Sequence, residues 1–370
     1  MVDFCYALAA KMRAAAILGP GSSTRDLKPF QSDSQVEWLV GLPAEREGLN
    51  AILVFGGDGT VHRHLGALVR LGLPVLVVPA GSGNDFARAL SLFEVRDSLE
   101  AWRTFVAGGN NTRVVDLGMI TPLAVSAETL AKAAISDDAE AARLKARPDT
   151  NQPQADRSRS PNHPGSESAA DAASGGRGRP PLHQANQGGK PVYFACVAGV
   201  GLDGEISRRA NALPRWLRAH GGYALSLPPA LLAFQPFSIT LSVAQPGHAE
   251  FLPRSQQSVM AAVFANTPVY GGGMRVAPRA RMDDGLLDVC VIRDMAKLKL
   301  LSVFPSVYLG RHLSLREVEY FAAPGARIET DRPMDVYADG EYVCPTPVQL
   351  GVAHDALTVI VPARKDNQEF

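Results

Sequence analysis

In the first third of the chain, continuous apolar runs of strand length alternate with segments whose apolar residues have helical spacing. Residues 51–55 (Ala-Ile-Leu-Val-Phe) and 73–78 (Leu-Pro-Val-Leu-Val-Val) are typical of strands buried on both faces of a parallel sheet. Between them, Leu65 and Leu68 belong to an apolar series with helical spacing. Strands that alternate with helices predict an α/β domain, which we place at residues 12–122.

The last part of the chain has a different pattern, with many strand-sized runs separated by Gly, Pro, Asn or Asp. Many strands with few helices predict an all-β second domain, an antiparallel β-sandwich over residues 191–362. The fold class is therefore α/β plus all-β. The predicted strands are residues 192–197, 237–243, 258–264, 287–292, 327–330, 334–338 and 348–352.

Residues 123–190 separate the two patterns and are rich in Ala, Ser, Pro, Gln and Asn. Between Arg147 and Gly189 there is hardly a large apolar residue, so the segment cannot bury enough surface to offset the entropy of ordering. We interpret it as a disordered insert, with a frayed helix over residues 126–147. A tolerated surface insertion is favoured over a regulatory segment.

Composition excludes some classes of protein. The 37 basic and 37 acidic residues of the 370-residue chain balance and are interspersed, so no electrostatic footprint for nucleic acid exists. No apolar run approaches the roughly 20 residues of a membrane span. The four cysteines lack metal-site spacing, and Cys196 and Cys290 lie in apolar runs, which indicates reduced core residues in a cytoplasmic protein.

Two glycine-rich loops follow the first two buried strands. They are Gly-Gly-Asp-Gly-Thr at residues 56–60 and Pro-Ala-Gly-Ser-Gly-Asn-Asp at residues 79–85. Such turns before helices bring backbone N–H groups close to phosphate oxygens, and the carboxyl ends of neighbouring parallel strands share one edge of the sheet. A tight turn is the alternative for either loop alone. The candidate phosphate-binding residues are Gly57, Asp58, Gly59, Thr60, Gly81, Ser82, Gly83, Asn84 and Asp85.

A third glycine motif, at residues 199–204, formally matches the dinucleotide-binding pattern G-x-G-x-x-G. A dinucleotide site needs an acidic residue about 20 positions later, and residues 206–249 contain no Asp or Glu. We therefore interpret this segment as a strand-to-helix turn facing a cleft, with Asp203 or Glu205 as a substrate-side acid.

Together with residues 197–203, 270–274, 283–288 and 339–341, the two loops resemble the diacylglycerol kinase catalytic-domain family. This family includes bacterial lipid kinases and the sphingosine and ceramide kinases. The resemblance implies an ATP-binding α/β domain, a β-sandwich domain for the lipid and a cleft between them. The first motif alone is also similar to a turn of the NAD kinases.

The resemblance also implies roles for particular residues. Asp58 would coordinate Mg²⁺ directly or through water, and Glu341 would accept a proton, with Asp339 beside it. Whether Asp58 or Glu341 is the general base stays open. A second Mg²⁺ would be held by the Asp284 side chain and the carbonyl groups of Arg281 and Leu286, a set of hard oxygen ligands that suits this ion.

The resulting interpretation is an ATP- and Mg²⁺-dependent kinase that phosphorylates a lipid hydroxyl, with diacylglycerol as the first expected acceptor. Sphingoid bases, ceramide and phosphatidylglycerol stay open as acceptors. The alternatives are an NAD-kinase-like phosphotransferase and a non-catalytic protein that binds nucleotide or lipid. The later glycine and aspartate motifs have no role in an NAD-kinase-like enzyme. The presence of the expected acids argues against a non-catalytic protein.

A lipid kinase meets its substrate at a membrane surface, and two segments mix leucines, aromatic residues and bases as interfacial segments do. They are residues 213–218, running on to 231–234, and residues 297–304. Helices packed in the core of the second domain explain both equally well. We expect a transiently membrane-associated protein and leave a homodimer open.

The chain departs from the family pattern at two places. Residues 19–23 (Gly-Pro-Gly-Ser-Ser) stand where the family usually has Asn-Pro-x-Ser-Gly, and His62-Arg63 replaces the usual Asn-Glu. His62 and His64 lie on different faces of the predicted helix, so they do not form a metal pair. Arg63 could reach a phosphate, and a solvated side chain is the favoured interpretation.

Overall fold

The computed structural model describes residues 11–32, 36–124, 189–213, 222–245 and 250–363. Its N-terminal part is a parallel sheet with strand order β2-β1-β3-β4, flanked by helices. The strands are β1 (Met12–Leu18), β2 (Val36–Val40), β3 (Ala51–Gly56) and β4 (Val75–Pro79). The helices are α1 (Thr24–Leu27), α2 (Asp58–Leu71), α3 (Asp85–Ala89) and α4 (Val95–Val106).

Strands β3 and β4 are buried along their whole length, as their uninterrupted apolar sequences predict. Each strand leads directly into a glycine loop and then into a helix. Helix α2 begins after Gly57 and buries Val61, Leu65 and Leu68 against the sheet. It ends at Gly72, whose left-handed backbone (φ 58°) suits a residue without a side chain.

The C-terminal part is built from antiparallel strands. They are β5 (Thr112–Pro122), β6 (Val192–Phe194), β7 (Val197–Gly201), β8 (Phe237–Ala244), β9 (Phe251–Ala265), β10 (Leu287–Arg293), β11 (Val318–Ala323), β12 (Gly325–Thr330), β13 (Asp335–Ala338), β14 (Glu341–Pro345) and β15 (Val348–Ile360). Its helices are α5 (Leu202–Asn211), α6 (Gly222–Ala233) and α7 (Lys297–Val303). The predicted fold class, a parallel-sheet domain followed by an antiparallel one, is confirmed.

Strand β15 belongs to both parts. Its first half pairs with β12 and β5, and after an irregularity between Ala353 and Leu357 it continues along β5. Val359 then pairs in parallel with Val75 of β4. The chain therefore enters the antiparallel part along β5 and returns to the parallel sheet along β15.

Several strands differ from their predicted extents. The predicted strand at residues 192–197 is interrupted at Ala195 and Cys196, because their backbone N–H groups donate to the Asp339 carboxylate instead of to a neighbouring strand. Strand β9 begins well before its predicted run, since residues 251–257 are half-buried or exposed. Strand β15 continues past the exposed polar residues His354 and Asp355, which interrupt its apolar pattern, to the buried Leu357, Val359 and Ile360. Strands β11 and β14, which were not predicted, are half-buried or exposed over most of their lengths.

Three further predictions have different outcomes. The insert at residues 123–190 and residues 214–218 of the first interfacial segment lie largely or wholly outside the described residues. Cys196 and Cys290 are buried free thiols, as predicted. Within the described ranges, no helix is long and apolar enough to cross a membrane.

The two glycine loops pack backbone against backbone, and a substitution at this contact tests the fold. A Cβ at Gly81 would lie 2.4 Å from the Cα atom of Gly57, so we expect Gly81→Ala to cost about 1–3 kcal/mol of stability. Gly66, an exposed glycine within α2, has nothing within 4 Å of the corresponding position. The control Gly66→Ala should therefore raise stability by about 0.5–1 kcal/mol. Urea unfolding of both variants checks this, and equal effects would contradict the loop contact.

Candidate active site

A cleft lies where the two glycine loops face the second domain. From the first domain it is lined by residues of both loops, including Asp58, Ser82 and Asp85. From the second domain it is lined by residues of α5, by the Tyr270 turn and by Asp339 and Gly340. The structure thus brings the predicted phosphate loops and part of the Asp339–Glu341 motif together.

The Asp58 carboxylate joins the two loops. One oxygen accepts the backbone N–H of Asp85 at 3.1 Å and the other accepts that of Phe86 at 3.0 Å, so Asp58 caps the start of α3. Burial, and secondly the nearby Asp85 carboxylate, raise the pKa of Asp58 to about 6. Gly83 lies so close that a Cβ there would be 2.8 Å from Asp58 Oδ2.

Asp85 links the second loop to the second domain. Both of its carboxylate oxygens lie 3.2 Å from the backbone nitrogen of Gly272, which donates to them. Burial raises the pKa of Asp85. Gly272 belongs to a turn closed by two backbone hydrogen bonds between Tyr270 and Met274, so the predicted motif at residues 270–274 is a structural neighbour of the phosphate loops.

Some of the predicted phosphate ligands are already engaged by the protein. Asn84, in a left-handed conformation (φ 57°), accepts the Gly81 N–H and donates to the Gly81 carbonyl, so it braces its own loop. The Thr60 N–H donates to the Gly57 carbonyl. Within the described part of the chain, the N–H groups of Gly57, Gly59, Ser82 and Gly83 have no protein acceptor. These four amides are available to an anion.

The Asp339 carboxylate is fully enclosed. It accepts backbone N–H groups from Ala195 (2.8 Å), Cys196 (2.8 Å) and Val197 (3.2 Å), and it lies 3.1 Å from Nδ1 of His62. These contacts give Asp339 a structural role, since they use its oxygens to hold the start of β7. Its predicted catalytic role stays a prediction.

Glu341 follows in the same turn but is exposed. Its carboxylate lies against the first turn of α2, where a Cβ at Gly59 would be 2.5 Å from Glu341 Oε1. Between the two acids, the Gly340 carbonyl accepts a hydrogen bond of 2.6 Å from the Asn211 side chain. Glu341 therefore stands beside one of the free amides, and it comes from the opposite domain.

No residue of the predicted metal turn is among those that line this cleft. Gly285 donates its N–H to Asp116 of β5, and Asp283 forms ion pairs with Arg113 and Arg281. Asp284 Oδ1 accepts the Leu286 N–H at 3.1 Å. Among the described residues, no group of three or more His, Cys, Asp or Glu side chains is arranged to hold a metal ion. The assignment of Arg281, Asp284 and Leu286 stays a prediction.

A second, smaller space, lined mainly by apolar side chains, adjoins the cleft. Tyr270 lines both spaces, and its hydroxyl group lies 3.0 Å from that of Ser207. On α5, Ile206 faces the apolar cavity and Ser207 faces the cleft. Asp203 lines the cavity as well.

Of the two acids considered near the third glycine motif, only Asp203 faces a cavity. Glu205 forms ion pairs with Arg208 and Arg209, which hold the pKa of its carboxyl group below the usual value although burial opposes this. The motif itself is strand β7 followed by α5, with the turn at Gly201 (φ 91°).

Sequence reasoning gave Arg88 no role and favoured a solvated Arg63, and both side chains line the cleft. Arg88 lies at the end of α3, and Arg63 lies on α2 and has no protein partner within the described ranges. Both arginines follow a glycine loop by a few residues, and this short spacing could have indicated their role. A helix that starts at such a loop places its early residues near any anion that the loop binds. Tyr270 and Ser207 had no local signal, because they meet only through the fold.

Comparison with known families agrees with this geometry. Residues 16–120 match the family described as "Diacylglycerol kinase catalytic domain". Residues 196–361 match the "YegS C-terminal NAD kinase beta sandwich-like domain". The resemblance of the chain to the diacylglycerol kinase catalytic-domain family is confirmed by these two matches. The two matches leave out the segment interpreted above as an insert.

Relatives with assigned names support a lipid kinase-type phosphotransferase. The chain is 27% identical over 319 residues to a protein named diacylglycerol kinase from Mycobacterium tuberculosis, covering 86% of this chain and 79% of the relative. A protein of the same name from Bacillus subtilis is 20% identical, with 86% and 79% coverage. A crystal structure of a diacylglycerol kinase from Bacillus anthracis has the same fold, with a TM-score of 0.54, 15% identity and coverage of 95% and 97%.

The raised pKa of Asp58 predicts how activity depends on pH. Below about pH 6 the carboxylate takes up a proton, so chemistry that requires its ionised form is lost as pH falls. We expect kcat/KM for the nucleotide to fall with a slope of about one on the acid side of pH 6. Melting temperatures recorded over the same range separate this loss from unfolding. A profile that stays flat down to about pH 5 would contradict the assignment.

Proposed function

We propose that this protein is an ATP- and Mg²⁺-dependent kinase that transfers the γ-phosphoryl group to a lipid hydroxyl, with diacylglycerol as the favoured acceptor. The observation that carries the proposal is the junction at Tyr270. There, an apolar cavity meets a cleft lined by free backbone amides. An acceptor with an apolar body and a hydroxyl head fits such a junction.

The free amides of Gly57, Gly59, Ser82 and Gly83 support binding of the nucleotide phosphates. Arg63 and Arg88 line the same cleft and supply positive charge for a polyanion. The lipid chains would occupy the apolar cavity, and the acceptor hydroxyl would lie near Tyr270 and Ser207. Phosphoryl transfer depends mainly on positioning and charge stabilisation, so a cleft between two domains suits it.

The position of Glu341 favours it over Asp58 as the proton acceptor. Both Asp58 oxygens accept backbone N–H groups, whereas Glu341 is exposed beside Gly59. In the proposed step, the lipid oxygen bonds to the γ-phosphorus, the bond to the β-phosphate oxygen breaks and the hydroxyl proton passes to the Glu341 carboxylate. ADP leaves, and the product is a phosphorylated lipid.

Bound Mg²⁺ would neutralise charge on the phosphates during this step. The cleft residues that could hold it are the Asp58 and Asp85 carboxylates, directly or through water, since each oxygen keeps lone-pair capacity beyond its backbone partner. The Asp284 turn would hold a separate ion with a structural role. Its one carboxylate and two carbonyl oxygens are the ligand chemistry that Mg²⁺ favours.

A membrane contact would be made next to the apolar cavity. Leu300 and Val303 of α7 line that cavity, whereas Leu298 on the same helix is 81% exposed. Lys297 donates to the carbonyl of Leu232, an exposed leucine at the end of α6, so the two helices present apolar residues side by side. Exposed leucines with neighbouring lysines suit the interface of an anionic bilayer. A homodimer stays a prediction.

A transfer assay tests the proposed activity. Radiolabelled ATP, with and without Mg²⁺, is offered to mixed micelles of diacylglycerol, ceramide, a sphingoid base or phosphatidylglycerol, and separately to NAD. We expect label in diacylglycerol, with Glu341→Gln slowing turnover by about 10²–10⁴-fold while nucleotide binding persists. Label only in NAD would replace the proposal with an NAD-kinase-like activity. Nucleotide binding without any transfer would favour a binding protein.

The membrane contact has its own test. We expect Leu298→Asp to reduce co-sedimentation with phosphatidylcholine vesicles that contain phosphatidylglycerol, because a charge in the interface opposes burial. Val95, an exposed apolar residue at the first position of α4, offers the matched control Val95→Asp, which should bind as the wild type does. Equal binding by both variants and the wild type would place the contact elsewhere.

A further inference from the structure

His62 makes a contact that the mechanism above does not use. Its Nδ1 atom lies 3.1 Å from Asp339 Oδ2, and the two side chains are 11% and 1% exposed. The same carboxylate accepts three backbone N–H groups, from residues 195, 196 and 197. Because a carboxylate in such surroundings acts as an acceptor, Nδ1 carries the proton and donates to Asp339.

The contact crosses from one domain to the other. The three backbone donors belong to the second domain, as Asp339 does, whereas His62 lies on α2 of the first domain. Gly59 lies three residues before His62, so both are on one face of α2. Gly59 is the residue against which the Glu341 carboxylate rests.

The turn of residues 339–341 is therefore held at each of its positions. Asp339 is held by His62 and the three amides, Gly340 by Asn211, and Glu341 by its contact with Gly59. Within this set, His62 supplies the side-chain hydrogen bond from the first domain. His62 fixes the position of the turn relative to α2, whereas Asn211 fixes its position relative to α5.

We propose that His62 is a positioning residue for phosphoryl transfer. By donating to Asp339, it sets where Glu341 stands relative to the phosphate loop at Gly59. This inference rests on the proposed function. A displacement of about 1 Å in a reacting group can cost about 10²-fold in rate, so loss of this bond should be visible in turnover.

Two substitutions of His62 test the role. His62→Leu keeps much of the volume and removes the donor, and we expect kcat to fall at least about tenfold while KM for ATP stays within about threefold. His62→Asn restores an N–H donor near Asp339 and should recover most of that loss. His64 lies on the same helix, and among the described residues no hydrogen bond or ion pair joins it to the turn. His64→Asn should therefore behave as the wild type does.

Hydrogen exchange provides a measurement that does not depend on activity. In His62→Leu, the amides of β14 directly after the turn should exchange faster than in the wild type, with the parallel sheet unchanged. If the wild type phosphorylates no lipid, the proposed function fails. If the β14 amides of His62→Leu exchange as they do in the wild type, the contact itself is refuted. An active wild type with an equally active His62→Leu variant would overturn the positioning role alone.

Asn211→Ala provides an independent route if His62→Leu is poorly folded, because it loosens the same turn from α5. It should also lower kcat without raising KM for ATP. Where His62→Leu does fold, its double variant with Asn211→Ala should lose less than the sum of the two single losses, since both act on one turn. Strictly additive losses of kcat would indicate a merely structural contact. A lower melting temperature with an unchanged kcat, measured where the variant is fully folded, would indicate the same.

Discussion

The cleft depends on carboxylates that accept backbone N–H groups from other segments of the chain. Asp58 caps α3 from the preceding loop, Asp85 holds the turn at Gly272, and Asp339 holds the start of β7. Each bond joins segments that the sequence separates by 27 to 187 positions. Since a buried carboxylate needs donors to offset the loss of hydration, each anion effectively requires its partner segment to be in place.

These three carboxylates also act on one another. Asp85 and Asp339 both raise the pKa of Asp58, although burial is the larger cause. A cleft with acids at its base and free amides at its loops is unfavourable for a bare polyanion. It is more favourable for an anion that arrives with a cation, which is the form in which nucleotides usually enter kinase sites. Arg63 and Arg88 add positive charge to the same lining.

The sequence predicted the features whose cause is local. The buried strands β3 and β4 and the glycine loops after them follow from runs of apolar residues and from turns that only glycine allows. The break at Ala195 was not predictable in this way, since its cause is a carboxylate 144 positions away. The same holds for His62 and Tyr270, which acquire partners only through tertiary contacts.

Strand β15 sets how the two domains can move. Two strands, β5 and β15, connect the domains, and they pair with each other. At its end, β15 also pairs with β4 of the parallel sheet. A hinge normally bends where the backbone is unpaired, whereas bending here would break ladder hydrogen bonds in two strands at once. This two-stranded ribbon is irregular between Ala353 and Leu357, and the rest of its length resists bending. The ribbon also ties the stability of one domain to that of the other, so the two are parts of a single cooperative unit.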